Sequence, residues 1–138
     1  MTAIADVLVD RVRSQLSTTR IYPMIAPQGW ETSGDYVITF QQISGIPDYS
    51  HDGASGLATV RFQFDVSSLV YQTAQQIGQE LKDAFSGLQG TYGAAGRQLY
   101  ISAGFVADTR DRYDEREQDA DGGLYTQEID IIVWHTEA

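Results

Sequence analysis

The chain predicts an α+β domain: a mostly antiparallel sheet of about four strands with two helices on one face, in the order α-β-β-α-β-β. Three observations carry this. Apolar residues recur at helical spacing in two segments, one at the start and one in the middle. Four other segments are rich in β-branched and aromatic residues, one of them with strict alternation. The 138 residues, 42% of them hydrophobic, suit one core and one domain over 1–138, with no linker long enough to divide it.

The first helix rests on Ile4, Leu8, Val12 and Leu16, which recur every four residues while Asp6, Asp10, Arg13 and Ser14 fall elsewhere on the wheel. Thr2 stands where an N-cap is expected. Pro23, Pro27 and Gly29 punctuate the connector that follows, and Tyr36 to Ile43 reads as a strand. Gly45 to Gly56 is a loop by composition. The clearest strand is Leu57 to Ser67, where Val60, Phe62, Phe64 and Val66 point one way and Thr59, Arg61, Gln63 and Asp65 the other.

A second helix runs from about Leu69 to Phe85 on a stripe of Tyr71, Ala74, Ile77, Leu81 and Phe85. Gly78 inside it costs roughly 1 kcal/mol against alanine, which signals close packing there. Gly87 and Gly90 end the helix. A glycine-rich bend leads to a third strand, Gln98 to about Val106, and the last strand is Leu124 to His135 with Ile129, Ile131 and Val133 inward. Between them Asp108 to Asp121 is the most charged stretch of the chain, read as a loop.

Composition narrows the function. The chain has no cysteine, which excludes disulfides, thiolate zinc sites and cysteine nucleophiles. Nine basic against nineteen acidic residues give a net charge of −10, and such a surface repels phosphate rather than binding it. Eight of the nine basic residues are arginines, Lys82 being the exception; arginine is the better partner for ion pairs between subunits. Met1 to Leu16 carries Asp6, Asp10, Arg11 and Arg13, so it reads as neither a signal peptide nor a membrane span.

The best metal candidate is Glu117 to Glu128, which sets Asp119, Asp121, Gly122, Leu124 and Glu128 at positions 3, 5, 6, 8 and 12 of an EF-hand loop. Glu117 at position 1 and the strand-like exit IDIIVWH oppose it. A calcium-dependent soluble binding module is nonetheless the alternative of a different class. The clustered carboxylates of this run are not held across a sugar-sized cleft as glycosidase chemistry demands. His51 and His135 lack ligand spacing, and no nucleophile elbow accompanies the serines. Gly87–Gly90 and Gly93–Gly96 lack the Lys-Ser/Thr of a phosphate loop. Trp30 and Trp134 read as core or interface anchors. The expectation is a protein with no enzymatic activity, cofactor or metal.

Taken in order, several segments resemble a family. An N-terminal helix, Tyr22-Pro23 with Pro27, and Asp35-Tyr36-Val37-Ile38 entering a strand are followed by ISGIPDYSHDGASGL, residues Ile43 to Leu57. Then come VRFQFDVSSLVYQTAQQIGQELKDAF, Val60 to Phe85, and DRYDERE…GLYTQEIDIIVWH, Asp111 to His135. The series is similar to the small tail-terminator or tail-completion proteins of long-tailed bacteriophages and related gene-transfer particles. It matches that family's hairpin loop, strand-then-helix, charged loop and last strand. A common family form has arginine after the tyrosine of the last strand; here Thr126 follows Tyr125.

The resemblance implies a structural virion protein of the tail or neck, assembled in the bacterial host cytoplasm. It implies a homo-oligomeric ring, usually a hexamer, that caps the tail tube, stops its growth and meets a head-completion protein. Genomic DNA would pass through the lumen without sequence-specific binding, and no membrane is involved. Another neck ring protein, head-completion or tube-like, is the near alternative. Arg110, Arg112 and Arg116 lie among carboxylates and can make bidentate pairs across an interface, with Tyr113 as an aromatic anchor. This arm is expected to contact the neighbouring subunit or the tail tube and to be poorly ordered in the free monomer. The strand face of Arg61, Gln63 and Asp65 is the candidate ring contact or lumen lining.

Overall fold

The computed structural model of the chain describes residues 4–30, 34–50, 53–92, 99–115 and 123–136. In chain order it comprises α1 (Ile4–Leu16), β1 (Ile21–Pro23), β2 (Tyr36–Ser50), β3 (Gly53–Ser68), α2 (Tyr71–Phe85), β4 (Gly90–Tyr92), β5 (Leu99–Glu115) and β6 (Gly123–Thr136). The six strands form one mixed sheet, ordered β1-β2-β3-β6-β5-β4 and curled into a half-barrel. Only β1 runs parallel to its neighbour.

This corrects the expected four strands and the α-β-β-α-β-β order. Two strands of three residues were hidden, β1 inside the proline-punctuated connector and β4 just past the glycines that end α2. Both are too short to show alternation. The stretch read as a loop over Gly45 to Gly56 is largely paired, as β2 and β3 form one long hairpin with Tyr49 opposite Ala54 and Ser50 opposite Gly53. The charged stretch is likewise strand as far as Glu115, paired residue by residue with β6.

The core lies between the helices and one face of the sheet. Val60, Phe62, Phe64 and Val66 are all buried, as the alternation of β3 requires, and they meet Ile129, Ile131 and Val133 of β6. Leu8 and Val12 of α1 and Leu81 and Phe85 of α2 close the other side. The Phe64 ring sits between those of Phe40, Phe62 and Phe85, at centroid distances of 6.1, 6.4 and 5.1 Å. Arg11 of α1 donates from Nε to the Ala84 carbonyl at 2.9 Å, supplying one of the orphan acceptors at the end of α2.

Gly78 packs as its place in a helix suggested. A Cβ there would collide with the amide end of the Gln127 side chain and lie 3.5 Å from Ile129 Cδ1, so the missing side chain leaves room for the Gln127 amide against α2.

Candidate functional site

The face of the sheet turned away from the helices carries the charged residues, and three strands build it. On β3, Arg61, Gln63 and Asp65 alternate with the buried Val60, Phe62, Phe64 and Val66. On β6, Glu128 and Asp130 alternate with Ile129 and Ile131, and the register sets Asp65 opposite Glu128 and Gln63 opposite Asp130. On β5, Arg110 lies opposite Glu128 and Asp108 opposite Asp130.

A single extra residue decides the third strand. Gly104 and Val106 of β5 pair with the inward-facing Val133 and Ile131, and a bulge then falls between Val106 and Asp108. Past it the parity of the strand reverses: Thr109 pairs with the inward Ile129, and Asp108, Arg110 and Arg112 pass to the open face. Without the bulge those charges would point at the core. Because of it, local alternation fails and the segment reads as a loop.

The side chains form an alternating lattice. Arg61 donates from Nη2 and Nε to Asp130 Oδ2 at 2.6 and 3.2 Å. Arg110 reaches the same carboxylate with two bonds of 3.4 Å, Glu128 Oε1 from Nε at 3.2 Å, and Asp108. Arg112 donates to Asp114 Oδ2 at 2.8 Å and also to Glu128. Asp130 is 6% exposed and Glu128 16%, against 35%, 41% and 45% for Arg61, Arg110 and Arg112, so the carboxylates lie beneath the guanidinium groups. Asp130, then Asp108 and Glu128, hold the Arg110 guanidinium well above its ordinary range. Burial raises the Asp65 carboxyl, against the Gln63 hydrogen bond of 2.8 Å, and the charge of Glu128 adds to the rise.

The structure brings together part of the two sets of residues proposed from sequence. Arg61, Gln63 and Asp65 share a face with Arg110 and Arg112. Tyr113 falls on the other face, half exposed, its ring 4.9 Å from that of Tyr125. Arg116 lies outside the described residues. As far as Glu115 the charged stretch is a strand rather than a loop, with Arg110 and Arg112 bonded to carboxylates of the same subunit. Sequence reasoning missed the carboxylate partners, the buried Asp130 and the half-buried Glu128, although their alternation with Ile129 and Ile131 was a usable signal. It also missed Phe105, whose exposed ring lies 5.1 Å from that of Trp134, the expected core or interface anchor, on the same sheet face.

On the helix side of β5, Asp111 accepts hydrogen bonds from Gln75 Nε2 at 2.9 Å, Tyr71 Oη at 3.3 Å and Gln127 Nε2 at 3.4 Å. The bond from Gln75 is the main cause of its lowered pKa, with help from Gln127 and Tyr71. The buried Oε1 of Gln127 has no donor among the described residues.

The EF-hand reading loses its frame. Leu124 and Glu128 lie inside β6, which runs on to Thr136 where an EF-hand would have its exiting helix, and Glu128 is bound by Arg110 and Arg112. Residues 117–122 lie outside the described part. Among the described residues, no group of three or more His, Asp or Glu is placed to hold a metal ion, and no helix is long and apolar enough to cross a membrane.

No family model matches the chain, and no curated protein does. Among solved structures, it is similar to a chain in the virion of a native gene transfer agent particle, with a TM-score of 0.59 and 16% identity over 99% of this chain and 98% of that one. The likeness is one of fold, and it runs end to end.

Proposed function

We propose that this protein is a structural virion subunit without catalytic activity: a tail-terminator or tail-completion ring at the neck of a phage or gene-transfer particle. The observation that carries the reading is the end-to-end likeness of fold to a virion chain of a gene transfer agent particle. The ordered series of segments from Tyr22-Pro23 to IDIIVWH supports the finer assignment. Copies of the chain, six in the usual form of such rings, would cap the tail tube, stop its growth and present a surface to the head-completion protein. Assembly would take place in the host cytoplasm.

The charged face suits a surface along which DNA passes unread. Its arginines are neutralised in place by Glu128, Asp130, Asp108 and Asp114, and the chain as a whole carries −10. Among the described residues of this face, phosphate would then meet guanidinium groups already paired with carboxylates.

The test is electron microscopy of particles from a strain lacking the gene. Tails of uncontrolled length that fail to join heads, restored by the wild-type gene, are the expected result. Normal particles would refute the assignment.

A further inference from the structure

The two ends of the sheet are protected unequally. β1 covers β2 only at Ile38–Phe40, and β4 covers β5 only at Leu99–Ile101. Both long strands run on past that cover. The rest of β2 is blunted as sheet edges usually are. Bulges fall between Gln42 and Ser44 and between Pro47 and Tyr49, and Pro47 has no N–H to offer. From Asp108 to Glu115, by contrast, β5 has neither bulge nor proline, and its register with β6 is unbroken.

The ladder fixes which backbone groups of β5 face out. The Ile38 N–H turns to the Arg20 carbonyl at 2.9 Å, away from β3. Hydrogen bonding alternates along an antiparallel strand. Carried through the registers from β2 to β3, β6 and β5, that alternation turns Thr109, Asp111, Tyr113 and Glu115 outward. The Thr109 N–H agrees, since it bonds to Asp108 Oδ1 at 2.9 Å and not to β6. Among the described residues, no backbone group pairs with Asp111, Tyr113 or Glu115 on that outer side.

The side chains leave this row bare. Arg110 and Arg112 lean back to Glu128 of β6. Asp111 turns to Gln75 of α2 and Gln127 of β6. Tyr113 packs on the Tyr125 ring and over Gly123, where a Cβ would collide with it. The charge of the edge is one-sided as well: Asp108, Asp111, Asp114 and Glu115 outnumber Arg110 and Arg112. Asp111 accepts only from the neutral donors Gln75, Tyr71 and Gln127 among the described residues.

We propose that the outer edge of β5 over Thr109–Glu115 receives an extended basic segment of a different protein as an added strand, with a lysine or arginine of that segment on Asp111. Main-chain hydrogen bonds hold the strand, and charge selects it. A second copy is the poorer occupant. It brings either its own acidic β5, and like charges opposed across a strand pair are destabilising, or its blunted β2. Nucleic acid is turned away by the same negative charge. The contact does not rest on the ring reading above and stands or falls separately from it.

The test is amide NMR on the full chain. Asp111 and Tyr113 are expected to exchange their amide hydrogens about tenfold faster than Arg110 and Arg112, whose N–H groups bond to β6. The binding probe is a synthetic peptide of about ten residues that alternates lysine with valine and threonine. At millimolar concentration it is expected to shift the amides of residues 109–115 and to slow exchange at Asp111 and Tyr113. Two control peptides, one with glutamate for lysine and one with lysine kept but alternate backbone nitrogens methylated, are each expected to bind about tenfold more weakly. Asp111→Asn is expected to weaken the lysine peptide severalfold while leaving the exchange pattern as it was.

Equal exchange along residues 110–113 would show that the edge is not open and overturn the proposal. So would no shift at millimolar peptide, shifts centred on β2, or unchanged affinity in Asp111→Asn. Equal binding by the glutamate peptide would remove the basic partner, and equal binding by the methylated peptide would remove the added strand; either result sinks the proposal.

Discussion

The two faces of β3, β5 and β6 share the same backbone and the same pairing, yet different forces hold them. On the helix side, packing decides: Phe62, Phe64, Val66, Ile129, Ile131 and Val133 are buried against α1 and α2. On the open side, Arg61, Arg110 and Arg112 knit the strands together through Glu128 and Asp130. The first face gains from every methylene removed from water. The second gains little per pair, because the guanidinium groups keep a third or more of their exposure and solvent screens them. The difference teaches that the charged face is not where the subunit's stability lies.

The largest expected effect falls on the dry face. Phe64→Ala removes the ring between Phe40, Phe62 and Phe85, and denaturant melts are expected to show a loss of about 3–5 kcal/mol. A loss below about 1 kcal/mol would mean that the two faces are energetically alike, and the comparison would fail.

Next comes the polar contact embedded in that face. Gly78→Ala gains about 1 kcal/mol of helix propensity yet drives a methyl group into the Gln127 amide, for an expected net loss of about 1–3 kcal/mol. Pairing it with Gln127→Ala is expected to recover much of the loss in a double-mutant cycle. Additive losses would show that the tight approach is not where the cost arises.

On the open face, Asp130→Ala takes the shared carboxylate from Arg61 and Arg110 at once. A truncated buried partner can cost 3–5 kcal/mol, but both arginines reach water, so about 1–2 kcal/mol is expected here after screening. A loss as large as that of Phe64→Ala would make the lattice a second core.

The smallest effects are in pH dependence, and their signs are opposite on the two faces. Asp65, on the open face, has its pKa raised above the ordinary 3.8, so the folded chain holds its proton longer than the unfolded one. Stability from this group is therefore present below that value and lost as the pH rises through the raised one. Asp111, on the helix side, has its pKa lowered from 3.8. Its contribution is present above that value and lost as the pH falls through the lowered one. In melts between pH 2 and 7, Asp65→Asn is expected to remove a decline towards neutral pH, and Asp111→Asn a decline towards acid. Shifts of the same sign in both variants would show that the two carboxylates do not sit in opposed environments.

Much of the dry face was legible before any coordinates. The four-residue recurrence from Ile4 to Leu16 and the alternation from Val60 to Val66 each place a side chain by its own neighbours alone. The open face was legible only in parts. Arg61, Gln63 and Asp65 followed from the alternation of β3, but the role of Arg110 and Arg112 did not, because the bulge before Asp108 breaks the period that would have exposed them. Gly45 to Gly56 was misread for a related reason: glycine, proline and aspartate mark turns in isolation, whereas here a long antiparallel partner holds most of them in strand.

By itself the sequence determined the two helices, the inward residues of β3 and β6, the acidic balance and the close approach at Gly78. These are properties of spacing and composition within one segment, where periodicity and sterics act between near neighbours. Only the tertiary structure decided that six strands pair in the order β1-β2-β3-β6-β5-β4, that β5 reverses its parity, and that Arg61 and Arg110 share Asp130 across 69 and 20 residues of chain. Strand register joins residues distant in sequence, and a side chain's partner is fixed by the register of the strand beside it, which no local pattern encodes.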